Sequence, residues 1–403
     1  MAQASSIWQA TIQQAPIQQA PIRQAPIRQA PARQARSQAA TVASRGARRA
    51  ALALVAVAAC GGTTGGDVAP PTGDPATGPG GGKNLACGGA SFPPDAPFYQ
   101  DISGAAIDAE SGTIVGALDG RGWGDAGGRT TLGIDFSFEI NCAAAGVARR
   151  AFTQNGDNQP DCDLAPVPLP PGGKIEGVSN YDCPDGDCHL VVYQGTRLYE
   201  LYQASVTGGA ATGGTFTGSC LAIWDLTRDV WSAANRSPAY SRGDTCDGGT
   251  AADLPIGPML LTAEDVSAAL AGDGIIHHAL RFTIKANRIR STGYVHPATH
   301  CGCGGDTGGS DTMPTGARLR LRGDFDLNSL PSDAARVVAR TLQHYGMYLV
   351  DAGNSYISAT TSASSMMPNS VLTSLKPRDF EMVGGGQRIG PRDYECTRTP
   401  VTN

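Results

Sequence analysis

LGIDFSFEI, residues 132–140, alternates apolar and polar side chains with a period of two. That is the pattern of a strand whose two faces meet different surroundings. Working outward from it, Leu190–Val192, Arg197–Tyr202, Cys220–Leu226, Ala279–Ile284 and Ala317–Leu327 (ARLRLRGDFDL) have the same character. Turn residues separate these short runs, with 53 glycines and 27 prolines in 403 residues. Three segments break the pattern and predict helices: Asp108–Leu118, Thr262–Gly272 and Ser332–Tyr345. Thr262-Ala263-Glu264-Asp265 opens the second as a capping box, and Ser332 caps the third, whose apolar face runs through Val337, Val338, Leu342 and Tyr345. The expected fold is mostly β, an antiparallel β-sandwich or barrel-like domain with a few short helices, spanning 90–403 as a single large β-rich domain.

The region before that domain reads differently. Residues 1–41 carry a Gln-Ala-Pro-Ile repeat with prolines at 16, 21, 26 and 31. A proline every five residues forbids a regular helix, so a disordered segment is expected. Arg45, Arg48 and Arg49 precede an apolar run, Ala50–Ala59, which is about half the ~20 residues that a membrane-spanning helix needs. Basic residues, a short apolar run and small residues before a cysteine make a signal peptide over 42–59. Val57-Ala58-Ala59-Cys60 resembles the lipobox of bacterial lipoproteins, which implies cleavage before Cys60, a lipid on that cysteine and attachment to a membrane. Asp does not follow Cys60, which favours the outer membrane. A start at Val42 would give such a signal its usual length, so residues 1–41 are expected to be a mis-called start. Residues 60–89, rich in Gly, Thr, Pro and Ala, are expected to be a flexible tether.

Eleven cysteines become ten once Cys60 is lipidated, an even number suited to disulfides in an oxidising compartment. Cys301-Gly302-Cys303 is too tight for an easy mutual bridge, so each is expected to pair elsewhere. Cys183 and Cys188 are five apart, a poor spacing for zinc. The net charge is −5; from Cys60 onward 24 basic residues face 36 acidic ones, a balance of −12. Such a surface excludes nucleic acid as a partner.

No GxSxG elbow, phosphate-binding loop, dinucleotide fingerprint or HExxH is present. Polar residues at strand ends are therefore the candidates. Five of the six histidines fall in three short segments: Gly186–His189, His277–Phe282 and Tyr294–His300. Imidazoles from three strands could hold a metal, or one could act as a general base; alternatively each simply donates to a backbone carbonyl. His189, His278 and His300, with Glu176 and Asp187, are the candidate catalytic group. Glu200 and Asp225 are further carboxylates that could pair across a groove for glycoside hydrolysis. Trp224, Tyr199 and Arg281 are the candidate substrate-binding residues. Asp324 and Asp326 flank Phe325 and are expected to face solvent, and His344 to be a favourable helix-end charge.

GDxHLVV (Gly186–Val192), LYELY (Leu198–Tyr202), WDL (Trp224–Leu226), DLPIGPxLLTAEDV (Asp253–Val266), HALRFT (His278–Thr283), YVxPAxH (Tyr294–His300), GARLRLRxxFD (Gly316–Asp326) and a helix ending YGM (Thr341–Met347) follow one another here. In that order they resemble a family of secreted bacterial proteins, over most of 97–355. The family has no established activity and brings no assigned catalytic residues. Some members resemble companions of carbohydrate-binding modules, which implies a polysaccharide partner. The extra cysteines depart from the family pattern. Two expectations follow: a hydrolase acting on an extracellular polysaccharide, or a non-catalytic surface protein that binds a glycan or a partner.

Overall fold

The computed structural model describes residues 84–124, 131–155, 160–228, 230–231, 246–303, 305–390, 396 and 398–402. The expected leader, signal, Cys60 and most of the expected tether lie outside them. The remainder of that tether, 84–89, is part of the folded domain: Asn84 bridges to Gly89, and Cys87 is bonded to Cys142.

Two sheets form the centre. The larger has six strands, in the order Gly133–Phe138, Tyr356–Thr360, Leu280–Ile284, Met347–Ala352, Arg318–Leu321 and Phe380–Val383. The smaller has four: Leu221–Asp225, Arg197–Tyr202, His189–Gln194 and Ile140–Cys142. The mostly-β, sandwich-like expectation holds, and no sheet among the described residues closes into a barrel. The two sheets mix antiparallel with parallel pairing. Gly133–Phe138 runs parallel to Tyr356–Thr360, Leu280–Ile284 parallel to Met347–Ala352, and Ile140–Cys142 parallel to His189–Gln194. Parallel neighbours need a long crossover, and the long loops and the helix between these strands supply it.

The three expected helices are present as α1 (Ser111–Arg121), α2 (Ala263–Ala271) and α3 (Asp333–His344). Thr262 and Ser332 cap α2 and α3 as expected, accepting from the N–H of Asp265 and Ala335. The expected long strand 317–327 is shorter. Only Arg318–Leu321 is extended, because the chain turns through Gly323 and Asp326 then caps a single 3-10 turn. Asp324 and Asp326 do face solvent.

The strand alternation sorts side chains into three layers. Leu280, Phe282, Leu319 and Leu349 point to one face of the large sheet, under Val338 and Leu342 of α3 and Ile114 and Leu118 of α1. Val191, Tyr193, Leu198, Ala222 and Trp224 meet Phe138, Tyr348 and Val350 in a layer between the two sheets. Leu190, Val192, Tyr199 and Leu201 face the far side of the small sheet, against Ile175 and Tyr181.

All ten described cysteines are paired: Cys87–Cys142, Cys162–Cys220, Cys183–Cys188, Cys246–Cys396 and Cys301–Cys303. The last pair corrects the expectation that each would bridge elsewhere. The Cα atoms of Cys301 and Cys303 are 5.1 Å apart, inside the range a disulfide spans, so one intervening glycine suffices.

Candidate functional site

The candidate histidines separate into different settings. His189 starts a central strand of the small sheet. Its Nδ1 lies 2.7 Å from Glu176 Oε2 and its Nε2 3.2 Å from the Gly249 carbonyl oxygen. Both partners are acceptors, so both ring nitrogens are placed to donate, the arrangement that suits an imidazolium. Burial works against that charge, but the charge and hydrogen bond of Glu176 outweigh it and the pKa is raised. Glu176 is the counterpart. Burial alone would raise its pKa, yet the His189 charge and bonds bring it below the ordinary carboxylate value. It also accepts from the His189 backbone N–H and from Ser137 Oγ.

His278 stands apart from this pair. Its Nδ1 donates to the Ala279 carbonyl (2.9 Å) and its Nε2 faces Asp265 Oδ2 at 3.5 Å, beside the α2 cap. Burial opposes its charge, but Asp265 again raises its pKa. The cavity beside it is about 20 Å³, room for no more than one water. His300 donates or accepts through Nδ1 at the Ala251 carbonyl, and since a carbonyl only accepts, it donates. His189 and His300 thus bind the same short segment, Gly249–Ala251, while His278 serves α2. His344 closes α3 against Asp101 (3.0 Å). Asp187 is exposed and accepts from Tyr202 Oη. A proton-accepting base needs a lone pair, and His189 and His278 have both nitrogens committed to donation.

The stability this imposes is readable against pH. The raised His189 contributes stability below its unfolded value of 6.5 and loses it as pH rises through its folded value. The lowered Glu176 contributes above its unfolded value of 4.5 and loses it as pH falls through its folded value. The pair therefore supports the fold most between these two values. Glu176→Gln is expected to cost about 1–2 kcal/mol more at about pH 5.5 than at about pH 8.5 in urea unfolding. Equal losses at both pH values would show that the ring does not change its charge between them.

Arg281 is the centre of the layer between the sheets. It is 3 % exposed, and its Nε and Nη1 have no hydrogen-bond partner. Burial pushes its pKa down, and Glu200, Glu176, Asp351 and Asp135 hold it up. Its guanidinium also lies 5.0 Å from the centre of the Phe138 ring. Asp135, Glu200 and Arg281 occupy the polar positions of alternating strands, but here those positions face the other sheet rather than water. Burial raises the pKa of Glu200, against the N–H groups of Gly257 and Ile256 and the indole of Trp224 that favour its charged form. Burial likewise raises Asp351 and Asp135.

The expected substrate-binding aromatics are interior. Tyr199 is 0 % and Trp224 is 4 % exposed, and Trp224 spends its N–H on Glu200. Arg281 is sealed with them. These three residues pack and neutralise; none presents a face to a ligand, because the strands that carry them are covered on both sides. Asp225 instead holds Thr227 and Arg228 in a surface turn. Glu176 and Glu200 both surround Arg281 in the covered layer instead of facing each other across an open groove.

Sequence reasoning missed a hollow of ligand size. It is about 490 Å³ and is walled by Trp231, His296, Arg318, Tyr348, Gln100 and Gln387, with Gly384-Gly385-Gly386 along one side. The glycine run was the available signal: without side chains, backbone N–H and C=O groups can meet a ligand closely. Arg318 is held by the carbonyls of Tyr345, Pro97 and Gln100 and by Tyr348 Oη. Among the described residues no carboxylate lines this groove, in a chain that is acidic overall.

Among the described residues the one three-ligand group with metal spacing is Asp161 with Cys246 and Cys396. Both sulfurs are consumed in their mutual disulfide, so the group does not fit a metal. No family model matches the chain, and no curated protein or solved structure is similar to it.

Proposed function

We propose that this chain is a lipid-anchored, extracytoplasmic protein that binds an anionic polysaccharide without cleaving it, in the groove between Trp231, Arg318 and the 384–387 loop. The observation that carries the binding reading is the groove itself. Its volume is in the range of small-molecule sites, and its described lining carries a guanidinium and no acid. A uronic-acid or sulfated sugar unit suits that lining: hydroxyls for Gln100, Gln387 and the glycine backbone, and a negative charge drawn by the field of Arg318, whose N–H groups are already bonded within the protein. The hydrolase reading is weaker because His189 and His278 act as donors and the carboxylates lie in the covered layer. Five disulfides support folding in an oxidising compartment, outside the cytoplasm. No described helix is long and apolar enough to cross a membrane, and the proposed attachment is the lipid on Cys60.

Full-length protein purified in detergent tests both halves of the proposal. Its mature N-terminal peptide is expected to begin at Cys60 and to carry the mass of a diacylglycerol. In calorimetry it is expected to bind polygalacturonate in preference to a neutral glucan and to release no reducing ends. Gln387→Ala, an exposed change, is expected to weaken binding about fivefold, the loss of about one hydrogen bond. Binding indifferent to charge, or to Gln387, sinks the groove assignment; released reducing ends sink the non-catalytic reading.

A further inference from the structure

Four of the five disulfides join residues 5, 55, 58 and 150 positions apart, whereas Cys301–Cys303 encloses a single residue. A ring that small removes little freedom from the unfolded chain, so stabilisation does not account for it. Its surroundings suggest chemistry instead. The N–H groups of Gly305 and Asp306 both return to the Gly302 carbonyl (2.8 and 2.9 Å), which folds the chain back over the pair. Asp306 is thereby placed against the middle of the pair: a Cβ built on Gly302 would stand 3.2 Å from Asp306 Oδ2. That oxygen is buried and has no hydrogen-bond partner. Cys301 is buried, and Cys303 is half-buried, the more accessible sulfur.

We propose that Cys301–Cys303 is a redox-active disulfide that takes two electrons from a dithiol, with Asp306 supplying a proton to the departing sulfur. A thiolate of the dithiol attacks Cys303 Sγ. The Cys301–Cys303 bond breaks as the mixed disulfide forms, and Cys301 leaves as a thiolate that takes the Asp306 proton. The second thiol of the donor, deprotonated to solvent, attacks the mixed disulfide and releases Cys303, which is protonated from solvent. The donor becomes a disulfide, the protein holds two thiols, and Asp306 regains its proton from water. Burial, with Asp351 beside it, pushes the Asp306 carboxyl up to about 7, so it is protonated where such a transfer is needed. Asp351 is the acidic group facing Asp306; it accepts from the Ala251 N–H, and the Ala251 carbonyl in turn takes His300 Nδ1. The inference is independent of what the groove binds.

The test uses the full chain, first with a small dithiol, dihydrolipoate, and then with a reduced, unfolded protein as donor. Free thiols are trapped by alkylation and located by mass spectrometry. Cys301 and Cys303 are expected to be alkylated before any other cysteine, Cys183 and Cys188 included, and the faster arm identifies the source of the dithiol. Asp306→Asn is expected to slow reduction about tenfold below pH 7, with the difference closing above it. Reduction of Cys183–Cys188 at the same rate or sooner overturns the proposal from the unaltered protein alone. An Asp306→Asn deficit that is absent, or identical at all pH values, removes Asp306 from it.

Discussion

Arg281→Met is expected to lower the unfolding free energy by about 3–5 kcal/mol at neutral pH, the cost of withdrawing one partner from a buried charge cluster. The methionine restores most of the volume, so the loss reports charge rather than a cavity. Glu200, Glu176, Asp351 and Asp135 all draw on that guanidinium. Without it Glu200, Asp351 and Asp135, whose folded pKa values burial already raises, are raised further and stay buried by taking up protons, while Glu176 keeps His189 as its partner. A carboxylate raised in this way favours the native state at low pH and loses that advantage as pH rises. The deficit of Arg281→Met is therefore expected to grow from about pH 5 to about pH 8. Urea unfolding at several pH values measures it. A deficit that is flat with pH would mean that Arg281 acts by packing on Phe138 and not by its charge.

The second large effect belongs to Cys246–Cys396. Its partners are 150 residues apart, and a loop of that size places the stabilisation near the top of the disulfide range, about 4–5 kcal/mol. The double replacement by serine is expected to lose that much under non-reducing conditions, while the same change at Cys183–Cys188, five apart, loses about 2 kcal/mol. Thermal unfolding of the two variants side by side decides it. Similar losses would show that the long loop is already restrained in the unfolded state by some other means.

The local features of this fold were legible because they depend on neighbours in the chain. LGIDFSFEI, the Thr262 and Ser332 caps and the apolar stripe of α3 all follow from near-neighbour spacing. What was not legible is what covers each face. A period of two says that Asp135, Glu200 and Arg281 lie opposite the apolar side chains, but not that a second sheet lies over them. That is why Trp224, Tyr199 and Arg281 read as surface and are interior. The pairing of Cys301 with Cys303 was missed for a different reason. Sequence separation is a poor proxy for distance there, because the backbone geometry of a Cys-Gly-Cys turn already permits the bond. The groove brings together residues from 97 to 387, and no local pattern announces such a convergence. His189 and Glu176 were both named from sequence; the role the geometry gives them, a charged clamp on the small sheet, depends on the Gly249 carbonyl 60 residues away.

The buried carboxylate of Asp163 has one further consequence. Its Oδ1 accepts from Arg398 Nη2 (2.7 Å) and from the N–H of Val401 (2.8 Å), and its Oδ2 from the N–H of Ile223. A residue made in the first half of synthesis is thus completed by residues made 235 and 238 positions later. A chain emerging from the ribosome cannot close this knot until residues 398–401 have been made. Contacts of such long range slow folding and lengthen exposure of unfinished strands. Residues 398–401 therefore act as a late-arriving lock on the region around Asp163.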